Sequence, residues 1–180
     1  GAELMTGKDA SETVVKDLSA TNELANYKVL HFATHGDADP QIPELSALVL
    51  SLETQTPLPT SGEEDGYLRA GEIVNLKLNA DFVNLSACET GLGKLYNGEG
   101  VVGLTQAFLI AGANGLSVSL WQVADESTAA FMVALYKLVE KQGMSYAKAI
   151  AEVKRRFING DFGEQWQAPY YWAPFVYYGK

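Results

Sequence analysis

A chain of 180 residues, 47% of them hydrophobic, suits one compact domain spanning residues 1–180 with a sizeable core. Its net charge of −9, from 22 acidic against 13 basic residues, argues against binding to nucleic-acid phosphates or to anionic membrane surfaces. The apolar runs are shorter than the roughly 20 residues that span a bilayer. The single cysteine cannot form an internal disulfide, so we expect a reducing compartment, the cytoplasm. One cysteine and two histidines are too few for a four-ligand zinc site, and we expect no metal or other cofactor.

Hydrophobic spacing and turn residues predict strands that alternate with helices along the chain. The first predicted element is a helix over 10–26, with Ser11 as its cap. The others, in chain order, are strands 28–34 and 45–51, helix 68–76, strand 80–87, helix 100–112, strand 115–121, helices 125–143 and 145–160, and strand 173–179. Residues 53–66 are polar and contain proline and glycine, which predicts an exposed loop and the most cleavable stretch of the chain.

This alternation predicts a mainly parallel sheet with helices on both faces. Sheets of that kind bind ligands beyond the carboxyl ends of their strands. Two polar groups stand at such positions: His35 follows strand 28–34, and Cys88 follows strand 80–87. If the two strands are near neighbours, both side chains lie on the same rim, where a histidine could help to form a thiolate near neutral pH.

Simpler interpretations stay open for these residues. A lone cysteine is most often a small buried hydrophobic residue, and a lone histidine is more often structural. His31 lies four residues before His35, but the run "KVLHFAT" is typical of a strand, so we predict an internal strand residue rather than a metal ligand. The run "GEGVVG", residues 98–103, matches a dinucleotide fingerprint only in its letters, because no strand directly precedes it. We predict that it starts a helix and allows close packing.

Six runs carry a family resemblance: "HFATHG", "DGYLRAGEI", "VNLSACETGLG", "GEGVVGLTQAFLIAGA", "SLWQVADESTAAFM" and "YYWAPFVYYG". In this order they resemble the CHAT domain, a caspase-like domain associated with tetratricopeptide repeats, from about residue 10 to the end. The resemblance implies a caspase-like three-layer α/β/α sandwich with a mainly parallel sheet. It further implies a cysteine endopeptidase that acts on a protein substrate. The alternative is a catalytically silent domain of the same fold that serves as an interaction scaffold.

The resemblance also assigns roles to individual residues. His35 and Cys88 match the family's catalytic pair, and the backbone N–H groups of Gly36 and Cys88 match its oxyanion hole. Ser86, two positions before the cysteine, matches a residue that lines the first specificity pocket. Glu89, Trp121 and Asp125 are further candidates for substrate binding. For Trp121 the simpler interpretation is packing, and for Asp125 it is a cap of helix 125–143, a role that Ser127 or Thr128 could also fill.

The resemblance also leads us to expect further protein segments that these 180 residues do not include. Family members usually carry more sequence before the matching region, including further strands of the sheet, so we expect the fold to be incomplete at its N-terminus. They often carry tetratricopeptide repeats, so we expect such a region, or another regulatory protein, as a partner.

Overall fold

The computed structural model describes residues 2–37, 39, 42–52, 64–86, 88–89 and 99–179. In these ranges the helices are α1 (Glu12–Ala20), α2 (Ala70–Ile73), α3 (Glu99–Ala111), α4 (Asp125–Gln142) and α5 (Tyr146–Asn159). The strands are β1 (Val29–Phe32), β2 (His35–Asp37), β3 (Ala47–Val49), β4 (Tyr67–Arg69), β5 (Phe82–Leu85), β6 (Cys88–Glu89), β7 (Gly115–Ser119) and β8 (Phe175–Gly179).

The strands form two four-stranded sheets. The central sheet has the order β1-β5-β7-β8, in which the first three strands are parallel and β8 is antiparallel. The rim sheet has the order β4-β3-β2-β6, in which β2 and β6 are parallel and the other pairs antiparallel. The expected mainly parallel sheet is therefore the central one, and the rim sheet was not anticipated.

Helices cover both faces of the central sheet, which confirms the three-layer α/β/α sandwich. On one face α1, α2 and α3 bury apolar side chains against Val83 and Leu116. On the other face α4 and α5 enclose a second apolar cluster that includes Phe82 and Phe175. Both faces of β5 and β7 are thus removed from water, as continuous burial along these strands requires.

Several predicted boundaries need correction. The predicted strand 28–34 ends earlier, at Phe32, as β1. After a break, His35–Asp37 forms a second strand, β2, which pairs with β3 outside the central sheet. The predicted strand 45–51 is β3 of the rim sheet, and the predicted helix 68–76 begins with strand β4. The predicted first helix ends at Ala20 and is followed by a 3₁₀ turn. Of the predicted loop 53–66, residues 53–63 lie outside the described part of the chain.

Helix ends agree with the predictions in part. The Ser11 hydroxyl accepts a hydrogen bond from the Val14 N–H at 3.3 Å, which confirms this residue as the cap of α1. The predicted caps of α4 are wrong: Ala124 takes that position, and the Ser127 hydroxyl donates instead to the Ala124 carbonyl. Gly143 ends α4 as predicted, since its φ of 64° lies in the left-handed region. Among the described residues, no helix is long and apolar enough to cross a membrane.

The run "GEGVVG" leads into α3, as predicted. Within it, Gly103 lies so close to the 3₁₀ turn Pro43–Leu45 that an added Cβ would stand 2.5 Å from the Pro43 carbonyl oxygen. This contact confirms close packing as one role of the glycines in the run.

Candidate functional site

His35 and Cys88 are opposite each other on two neighbouring parallel strands. The register of β2 and β6 pairs the α-carbon of His35 with that of Cys88, and the α-carbon of Gly36 with that of Glu89. Neighbouring strands lie about 4.8 Å apart. The two strands that we expected to be neighbours, β1 and β5, do pair directly.

This pairing continues the register of the central sheet. Within β1 and β5, Val29 pairs with Phe82 and Phe32 with Leu85, each with the residue 53 positions later. His35 and Cys88 keep the same offset of 53 positions, although both lie beyond the central sheet, in strands β2 and β6. The alignment of the candidate pair is thus already set by the pairing of β1 with β5.

The rim sheet keeps His35 accessible. Its side chain is exposed, whereas Gly36 is buried between β3 and β6. Just before it, the Thr34 hydroxyl donates to the Val49 carbonyl, which ties the turn after β1 to strand β3. Beyond β2, the Asp39 N–H donates to the Ser46 hydroxyl oxygen at 3.0 Å. Both ends of β2 are therefore anchored while its first side chain faces solvent.

Ser86 is half-buried at the point where β5 leaves the central sheet. Its backbone N–H donates to the Phe32 carbonyl at 3.1 Å, just beyond the end of both strands. Its hydroxyl lies 2.8 Å from His31 Nε2. The predicted pocket residue is thus held by a histidine for which the sequence suggested only a place in a strand.

His31 is in β1, as predicted, and has further polar partners. The Asn84 amide nitrogen lies 3.0 Å from Nε2, and the Tyr136 hydroxyl of α4 lies 3.2 Å from Nδ1. The residue lies on an exposed edge of the sheet, yet these neighbours desolvate its imidazole, and this burial lowers the pKa of His31. Burial likewise raises the pKa of Tyr136, so its phenol is neutral at physiological pH.

Trp121 and Asp125 follow the carboxyl end of β7, on the same edge of the central sheet. The Trp121 indole N–H donates to the Tyr170 carbonyl at 3.0 Å, so the side chain packs on the 3₁₀ turn Pro169–Tyr171. Asp125 is exposed in the first turn of α4, where a carboxylate is favourable to the helix dipole. No contact joins the Trp121 or Asp125 side chain to His35 in the described part of the structure.

The sequence model of the CHAT domain matches residues 1–180, the whole chain. The chain belongs to the CHAT domain family. This match confirms the resemblance that the six sequence runs indicated. It also gives the caspase-like framing of the fold, since caspase-like peptidases are the wider group of this family.

Two curated relatives match part of this CHAT domain. Tetratricopeptide repeat protein 28 of Mus musculus and its counterpart of the same name in Homo sapiens are each 30% identical over 113 residues. The match covers 63% of this chain and 4% of the length of either relative. Both are tetratricopeptide repeat proteins by name, which agrees with the association of CHAT domains with such repeats.

The sequence interpretation of this CHAT domain missed the partners of His31. Asn84 and Ser117 are polar residues within otherwise apolar strands, and both are fully buried. Buried polar groups need hydrogen-bond partners, so their positions in "FVNL" and "GLSVS" were a usable signal. Tyr136 had no such signal, because a tyrosine on an amphipathic helix is typical of packing alone.

Proposed function

We propose that this CHAT domain is a cysteine endopeptidase that hydrolyses peptide bonds of a protein substrate with His35 and Cys88. The observation that carries the proposal is the register of β2 and β6, which sets these two residues opposite each other. They are the residue types that a thiol nucleophile and its base require. The exposure of His35 supports access of a substrate from solvent.

In the proposed reaction His35 takes the proton of the Cys88 thiol, and the thiolate attacks the carbonyl carbon of the scissile bond. The oxyanion that forms accepts hydrogen bonds from the backbone N–H groups of Gly36 and Cys88. One such donor is worth about 3–4 kcal/mol of transition-state stabilisation in well-studied hydrolases. His35 then gives its proton to the leaving amine, and a thioester remains on Cys88. Water adds to the thioester, the acid product leaves, and the thiol is regenerated.

Substrate binding is assigned to the edge around this pair. Ser86 is a small neutral residue, and we propose it as the floor of the first specificity pocket. Glu89 lies opposite Gly36 in the rim sheet, which supports a place beside the bound chain. Trp121 and Asp125 are proposed as the outer wall, on the carboxyl side of β7. The tetratricopeptide repeats of the named relatives support a repeat region or another regulatory protein as partner, and we propose the cytoplasm as the location.

A second function is an interaction domain that keeps the fold without catalysis. Its support is that the two curated relatives are named for their repeats. The two functions differ in what they require of Cys88. A scaffold keeps its partners when Cys88 is replaced by Ala, whereas a peptidase loses its product.

The test is labelling of the intact natural protein with a peptidyl acyloxymethyl ketone, which reacts irreversibly with an activated thiolate. Peptide mapping of the labelled protein locates the site, and Cys88 is the single cysteine of this 180-residue domain. We expect labelling of the wild-type protein, none in Cys88→Ala, and a loss of about 10²–10⁴-fold in rate in His35→Ala. Iodoacetamide in urea serves as the control, because it labels the thiol of wild type and His35→Ala alike. Wild-type protein that resists the probe and cleaves no protein would contradict a peptidase.

A further inference from the structure

A row of polar side chains crosses the three parallel strands of the central sheet. His31 of β1, Asn84 of β5 and Ser117 of β7 are register partners. The Ser117 hydroxyl donates to Asn84 Oδ1 at 2.7 Å, and the Asn84 amide nitrogen lies 3.0 Å from His31 Nε2. Asn84 and Ser117 are fully buried, and buried polar groups are costly unless each finds a partner.

One arrangement of protons satisfies these contacts. With its oxygen engaged by Ser117, the Asn84 amide donates to Nε2 of His31, which is therefore the acceptor nitrogen. The imidazole proton is then on Nδ1 and is donated to the hydroxyl oxygen of Tyr136. The Ser86 hydroxyl lies 2.8 Å from the same nitrogen, and it also donates to the Phe32 carbonyl at 3.4 Å. A neutral His31 thus joins β1, β5 and α4.

These contacts depend on the register of the strands. A slip of one residue between β1 and β5 would turn the side chains of one strand to the opposite face, and His31 would lose both Asn84 and Ser86. The same slip would remove His35 from its place opposite Cys88, because both pairs share the offset of 53 residues. Leu30 and Phe32 oppose the same slip, because it would turn them away from the core, and the hydrogen bonds of His31 add to the register that this apolar pattern favours.

We propose that His31 is a positioning residue that holds β1 and β5 in the register that aligns His35 with Cys88. It acts through Asn84 within the central sheet and through Ser86 where β5 leaves the sheet. The role in catalysis rests on the proposed function, whereas the alignment itself is a property of the fold.

The groups around His31 agree with a neutral imidazole. From β5 it faces Asn84 and Ser86, which carry no charge, and from α4 it faces Tyr136. On its other side is a cavity of about 520 Å³ that Glu3 and Tyr27 also line. There the Tyr27 hydroxyl contacts the Glu3 carboxylate. A proton added to Nε2 would face the Asn84 amide donor, so acid is expected to weaken the contact between His31 and Asn84.

A disulfide provides a direct readout of that alignment. His35→Cys adds one thiol opposite the chain's single natural cysteine. Register partners on neighbouring strands fall within the separation of about 4.4–6.8 Å between α-carbons that a disulfide requires. With oxidised glutathione as the electron acceptor, we expect His35→Cys to form the bond readily. Thr34→Cys is the matched control and should form it at least tenfold more slowly, because Thr34 lies in the bend before β2 and is not a register partner of Cys88.

The proposal is tested by adding changes at His31 to the His35→Cys protein. We expect His31→Leu to slow disulfide formation at least tenfold, and His31→Gln, whose amide can accept from Asn84, to restore most of the rate. Tyr136→Phe should slow the reaction less than His31→Leu but more than Tyr146→Phe, a neighbouring tyrosine outside the row. Unchanged rates in His31→Leu and Tyr136→Phe would overturn the proposal. If His31→Leu does not fold, His31→Gln and Tyr136→Phe at equal thermal stability still decide it.

This experiment separates the two proposals, because disulfide formation needs no peptidase activity. Suppose that His31→Leu slows disulfide formation as expected, but the peptidyl probe fails to label the natural protein. This result would remove the proposed function and leave the positioning role. The opposite result would remove only the positioning role. In that case the probe labels the natural protein, but the His31 changes leave the rate of disulfide formation unaltered.

Discussion

The central sheet and the rim sheet differ in how their strands are held. In the central sheet, β5 and β7 are buried along their whole length, and helices cover both faces. The rim sheet has strands of two or three residues, and its His35 is exposed. Strands so short lie at the lower end of the usual length range. The rim sheet therefore shares the register of the central sheet, and both polar contacts and the buried side chains of Leu48 and Leu68 hold it in place.

The anchorage of the rim sheet centres on Glu12 of α1. This carboxylate is 1% exposed, binds Lys16, and accepts the Gly66 N–H at 3.0 Å. The Gly66 carbonyl accepts a hydrogen bond from the Leu50 N–H at 2.7 Å. The buried carboxylate of Glu12 therefore fixes the residue that directly precedes β4. Lys16 extends the contacts to Glu72 at 2.7 Å. These polar contacts add to the apolar packing of Leu48 and Leu68, which are fully buried in the core.

The largest expected effect is that of Glu12→Ala, which breaks the rim sheet's anchorage. It leaves the Gly66 N–H without its acceptor and Lys16 with one carboxylate fewer, so we expect a loss of about 3 kcal/mol in the free energy of unfolding. Glu12→Gln keeps an acceptor for Gly66 and should lose less than half as much. Urea denaturation followed by circular dichroism measures both. Equal losses in the two variants would show that the hydrogen bond to Gly66 is unimportant.

Next in size is Gly103→Ala, which tests the packing of α3 against the turn Pro43–Leu45. The new Cβ would stand 2.5 Å from the Pro43 carbonyl oxygen, and relief of that clash should cost about 1–3 kcal/mol. Gly71→Ala is the matched control, since its Cβ would lie 3.9 Å from the Glu44 carbonyl oxygen. We expect this helical change to be neutral or to stabilise by up to about 1 kcal/mol. Thermal unfolding that ranks the two in the opposite order would contradict the packing account.

A smaller loss is expected from Ser117→Ala in the central sheet. It removes the donor to Asn84 Oδ1 and leaves a buried amide oxygen unpaired, at a cost of about 1–2 kcal/mol. The change lies in β7, so the rim sheet should retain its own contacts. We expect a lower urea midpoint with an unchanged denaturant slope. A stability equal to wild type would mean that the polar row contributes nothing to the central sheet.

The smallest expected effect is the dependence of stability on pH through His31. Its folded pKa is lowered, so its contribution is complete above the unfolded value of about 6.5 and is lost as the pH falls through the folded pKa. The free energy of unfolding of the wild type should therefore decline from pH 7 towards pH 5. His31→Gln should show a flatter profile, and His35→Gln, the other histidine change, should keep the decline. Parallel profiles for wild type and His31→Gln would contradict this role.

Features of the fold that depend on a repeated pattern of residues could be predicted from the sequence. Alternating elements predicted the covered sheet, and strand ends predicted that His35 and Cys88 would lie on one rim. The central–rim division was not predictable, because the continuation of β1 into β2 depends on pairing with β3 rather than on the residues of β2. A cap at Asp125 was wrong because Ala124, with φ −59° and ψ 139°, already has the non-helical backbone that the position requires. The contact of Tyr136 with His31 joins residues 105 positions apart, which no local pattern encodes.

Activation of Cys88 by His35 can be measured through the pH dependence of Cys88 alkylation. Iodoacetamide reacts with the thiolate, and the chain has a single cysteine, so the rate reports this one group. We predict that the rate of the folded wild-type protein reaches half its maximum well below pH 8.5, the ordinary pKa of a free thiol. In His35→Ala the midpoint should return to about 8.5. Identical midpoints in folded wild type and His35→Ala would contradict this activation.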